Sequence, residues 1–74
     1  MKIGLKEIEF AVFCIENVAE KLEITGKKVF ELLTKKSNIL DDYIFGCYEV
    51  LHMQGKSYIV NDIIEFMNEK GVLE

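Results

Sequence analysis

The residues able to do chemistry in this chain are few, and they lie far apart. One histidine, His52, stands between Leu51 and Met53. That apolar setting suits a partly buried structural histidine better than a general base. Two cysteines, Cys14 and Cys47, are 33 positions apart. Both fall in apolar helical patterns, so a pair of buried free thiols in a reducing cytoplasm is expected. One histidine and two distant cysteines do not make a metal site of recognisable spacing. Asp41 and Asp42 are neighbours, which on a helix points them about 100° apart. They read as a solvated helix start, not an acid/base pair. The five glycines are isolated and form no phosphate-binding loop. The expectation is a protein that is not an enzyme and carries neither cofactor nor metal.

Composition points the same way. The chain has 74 residues, half of them apolar, with no proline and no tryptophan. That suggests a single helical domain over residues 1–74, with a core small enough to gain from a partner subunit. The net charge is −4 and all nine basic residues are lysines. This balance argues against a general nucleic-acid binder or a membrane-surface protein. Met1-Lys2 is followed too soon by Lys6 and Glu7 for a signal peptide. The apolar run Phe10–Ile15 is far too short to span a bilayer. A cytoplasmic location is expected.

Helical periodicity supplies the elements. A first helix is predicted from Leu5 to Leu22, with Leu5, Ile8, Val12, Ile15, Ala19 and Leu22 on its buried face, widened by Ala11 and Val18. Phe10 and Phe13 fall on the opposite, charged side. Either a later helix covers them or they form a contact patch. Thr25 is placed as an N-cap, with Ile24 and Val29 as a hydrophobic staple. The second helix then runs from Gly26 to Lys35, with Val29, Phe30, Leu32 and Leu33 apolar. Ser37 or Asn38 opens the next segment. Leu40, Tyr43/Ile44, Cys47/Tyr48 and Leu51 recur along it, and Gly46 splits it into about 39–45 and 46–53. Gly55 is expected to cap its C-terminus. Lys56–Val60 reads as an extended link, because Tyr58, Ile59 and Val60 favour strand. A last helix is predicted from Asp62 to Lys70, or from as early as Tyr58. It is closed by Gly71, with Val72 and Leu73 docked on the core. The fold class is all-α: a compact bundle of four or five short helices around a central N-terminal helix.

Two functional readings follow. The first is a protein-interaction module, for another protein or a second copy of itself, with Phe10, Phe13, Tyr43, Tyr48 and Tyr58 as the contact patch. Tyrosine buries area while keeping a hydrogen bond, which suits interfaces. The alternative is a small helix-turn-helix-like DNA-binding regulator built on residues 19–36. Within it, residues 21–36 set Lys21, Lys27, Lys28, Lys35 and Lys36 against Glu23 and Glu31, a local +3 that leaves −7 for the rest of the chain. Its second helix lacks Arg, Asn and Gln to read base edges, and Glu23 stands where a tight turn usually carries glycine.

The string Tyr48-Glu49-Val50-Leu51-His52-Met53-Gln54-Gly55, followed by Tyr58-Ile59-Val60-Asn61-Asp62-Ile63-Ile64, resembles a bacterial family of short proteins, domain of unknown function 3791. The earlier Phe10–Glu16 run, Lys21-Leu22 and Val29–Leu33 resemble it too, so the likeness covers nearly the whole chain. Gly46 stands where the resemblance leads one to expect proline; either residue weakens a continuous helix. The resemblance implies an intracellular helical protein with no established activity. It also implies an antitoxin-like or regulatory partner of an ADP-ribosyltransferase-like protein. The family positions to inspect are His52, Gln54, Gly55, Tyr58 and Asp62. Their bland reading is a helix stop at Gln54-Gly55 and a helix start at Asp62.

Overall fold

The computed structural model describes residues 3–73. Five helical segments follow one another: α1 Leu5–Leu22, α2 Gly26–Thr34, a π-helix Leu40–Phe45, α3 Tyr48–Leu51 and α4 Lys56–Glu69. No strand occurs among the described residues. The all-α class and the central place of the first helix are as the periodicity indicates: α1 touches α2, α4 and the π-helix.

The face that α1 buries overlaps the expected one through Ala11, Val18 and Ala19 but is shifted from it. Ala11, Cys14, Val18 and Ala19 are buried, whereas Leu5, Ile8 and Val12 are exposed. The buried face is turned by about 70° from the Leu5–Leu22 stripe. α2, α4 and the π-helix pack on α1, and the side they leave uncovered carries Leu5, Ile8 and Val12.

α1 stops in a Schellman motif. Glu23 has φ 59°, and the Ile24 N–H donates to the Ala19 carbonyl at 3.0 Å. Thr25 then caps α2, its Oγ1 accepting from the Lys28 N–H at 3.1 Å. Of the apolar residues of α2, Val29, Leu32 and Leu33 are buried and Phe30 is exposed. Ser37 pins the next loop: its hydroxyl donates to the Leu32 carbonyl at 2.8 Å and accepts from the Ile39 N–H at 3.3 Å.

The split at Gly46 is present, and the segment before it is a π-helix. The Gly46 N–H reaches back five residues to the Asp41 carbonyl at 3.1 Å. A Cβ at Gly46 would press on the Asp42 carbonyl oxygen and lie 3.2 Å from that of Asp41. The widened turn therefore requires glycine.

α4 corrects three expectations. Lys56–Val60 is helical, not an extended link, and Asp62 lies inside the helix, not at its start. Gly55 is the extended N-cap residue of α4 and not a C-cap. Burial decides this. Ile59, Val60, Ile63 and Met67 share one buried face, each gaining roughly 1.5–3 kcal/mol. The helix penalty of a β-branched residue is below about 0.7 kcal/mol. Gly71, at φ 74°, closes α4 in a second Schellman motif, with the Val72 N–H on the Met67 carbonyl at 3.1 Å. Val72 and Leu73 pack against the core.

Candidate interaction surfaces

The expected contact residues separate into two groups. Phe10 and Phe13 are half-buried and pack against the core. Phe10 meets Tyr48 edge-on, with ring centroids 5.4 Å apart, and stacks with Phe13 at 6.2 Å. These two phenylalanines are therefore not a free patch: α3 folds over the side of α1 that carries Phe10. Tyr48 in turn stacks on His52 at 4.3 Å. His52 is exposed, not partly buried as its sequence neighbours suggest. Its Nδ1–H donates to the Tyr48 carbonyl oxygen at 2.6 Å.

Tyr43 and Tyr58 belong elsewhere. Tyr43 packs edge-on against Phe66 at 5.0 Å. With Tyr58 it lines a groove of about 360 Å³ between the Tyr43–Leu51 stretch and α4. Gly46, Cys47, Glu49, Val50, Leu51 and Gln54 complete the lining, so one carboxylate stands in a mainly apolar wall. Val50 is 68 % exposed and Tyr58 57 %, and Met53 in the adjoining turn is 77 % exposed. Periodicity missed Val50 and Met53 because both fall off the Leu40–Leu51 stripe. The one signal available was their apolar character beside a turn.

The family positions are not one site. Gln54 lines the groove, while Asp62 lies half-buried beside Tyr43, Glu65, Phe66 and Glu69 in a separate depression. Gly55 caps α4, and His52 sits with Phe10.

Both thiols are free as expected, but only one of them is buried. Cys14 is fully buried, and burial pushes its pKa up to about 12. Cys47 is free but exposed. Among the described residues, no three His, Cys, Asp and Glu side chains gather closely enough to hold a metal ion. No helix among them is long and apolar enough to cross a membrane.

All five lysines of the alternative reading are exposed, but they do not form one face. Lys28 and Lys36 edge a groove beside Ile24 and Leu73, whereas Lys21 faces Lys56 and Asn61 between α1 and α4.

The fold and its apolar grooves define a small all-α bundle with open side-chain surface. Residues 9–70 match the family described as Protein of unknown function (DUF3791), and the chain belongs to that family. No curated protein and no solved structure matches it.

Proposed function

We propose that this chain is a protein-interaction module that engages a partner protein through the groove between the Tyr43–Leu51 stretch and α4. One observation carries the reading: Val50 and Tyr58, each more than half exposed, line a mainly apolar groove, and the exposed Met53 follows in the turn beside it. Exposed side chains of this size form an unfilled contact surface when they adjoin a concavity. The tyrosine hydroxyls and the Gln54 amide supply the polar rim that such contacts use. A regulatory or antitoxin-like role toward an ADP-ribosyltransferase-like protein is the finer form of this proposal, supported by the family resemblance alone.

Affinity capture from the native host tests it, with wild-type protein beside Val50→Glu and Tyr58→Glu. The expected result is a stoichiometric protein that both variants lose while keeping wild-type circular dichroism. Capture of salt-eluted nucleic acid in its place would favour DNA binding through residues 19–36.

A further inference from the structure

Two surfaces lie outside the groove just described, and their chemistries match each other. The first is on α1. Leu5 is 71 % exposed, and Ile8 and Val12 are 47 % each. Their i, i+3, i+7 spacing is that of a heptad seam, a stripe about 10 Å long on one helix face. The exposed Glu9 flanks this stripe, and the exposed Glu16 continues the same side about one turn beyond Val12. α1 thus offers an apolar ridge with an acidic margin. The second surface lies between α2 and the chain that follows α4. It is a groove of about 540 Å³, with Ile24, Leu32, Val72 and Leu73 as its apolar lining and Lys28, Lys36 and Lys70 as its charged members. None of the described residues lining it is acidic.

We propose that this groove receives the N-terminal half of α1 from a second copy of the chain, with Leu5, Ile8 and Val12 entering it and Glu9 and Glu16 meeting its lysines. The charge complementarity selects this occupant. The chain is acidic overall at −4, so a random acidic surface would be repelled by another copy. Here the acidic margin and the basic groove are segregated onto different elements, and they attract between copies. Each copy carries one ridge and one groove, and the proposed pair fills both reciprocally about a two-fold axis. A chain of this size also gains stability from a subunit that covers its exposed apolar surface. The contact leaves Val50 and Tyr58 open, and it stands independently of the partner reading above.

Analytical ultracentrifugation of the full chain across a concentration series, at low and high salt, tests the pairing. A dimer is expected at low salt, weakening as salt screens the glutamate–lysine contacts. Ile8→Glu should weaken association at least about tenfold with the helical spectrum unchanged, because Ile8 lies outside the core. The double variant Glu9→Lys/Glu16→Lys should do likewise. Adding Lys28→Glu and Lys36→Glu to it should restore the dimer by reversing both partners. Val50→Glu should leave the dimer intact, so that losing the partner and losing self-association are read separately. A monomer at every concentration, a dimer indifferent to Ile8→Glu, or failure of the fourfold reversal to rescue would each overturn the proposal. So would a monomeric chain that captures an added basic amphipathic helix on its α1 ridge.

Discussion

The two thiols sit at opposite extremes of access, and this has consequences in solution. Cys14 is enclosed among small α1 neighbours, and its pKa of about 12 lies above the ordinary value of 9.0 because burial penalises the thiolate. A native pKa raised above the unfolded one stabilises the fold fully below about pH 9. That contribution is lost as pH climbs toward 12. Titration with a thiol reagent at neutral pH should label Cys47 quickly and Cys14 only after denaturant is added. Two fast thiols would mean the core around Cys14 opens readily. Glu23 is the other residue with a sharp expectation. It is the only non-glycine residue with positive φ among those described. Glycine there avoids the Cβ clash of the left-handed region but adds entropy to the unfolded chain. Glu23→Gly should therefore raise stability by about 0.5–1 kcal/mol in urea melts.

At the scale of elements, the π-helix and α4 show what a sequence does and does not reveal. The break at Gly46 was legible because glycine interrupts an otherwise apolar helical rhythm. The widened turn before it was not, since nothing in Leu40–Phe45 distinguishes five-residue from four-residue hydrogen bonding. Gly46→Ala separates the two views. Helix propensity alone says alanine should stabilise by about 1 kcal/mol. The Asp42 carbonyl says it should destabilise, by about 1–3 kcal/mol, and thermal melts will show the sign. In α4, the apolar positions Ile59, Ile63 and Met67 were readable, but the start was not. Tyr58-Ile59-Val60 has strand propensity, and only the burial of Ile59 and Val60 overrides that preference. The rotation of α1 was hidden for a related reason. Apolar residues cover more than half of its circumference, so periodicity could not choose between the large stripe and the small one. The separation of the Phe10–Tyr48–His52 cluster from the Tyr43–Tyr58 groove was equally invisible, because it depends on where α3 turns.

At the scale of the molecule, the core closes without a buried polar or charged residue among those described, while several large apolar side chains remain outside it. The two aromatic sets have different roles. Phe10 is half-buried under α3, so Phe10→Glu should cost about 1.5–3 kcal/mol and diminish the helical signal. Val50 and Tyr58 are outside the core, so charged substitutions there should spare the fold and remove binding. The most direct test of the central claim is affinity capture from the native host with wild-type and Val50→Glu protein side by side, the folded state of each checked by circular dichroism. The account expects a stoichiometric protein partner held by the wild type and absent from the folded variant. A partner retained equally by both, or no protein captured by either, would contradict it.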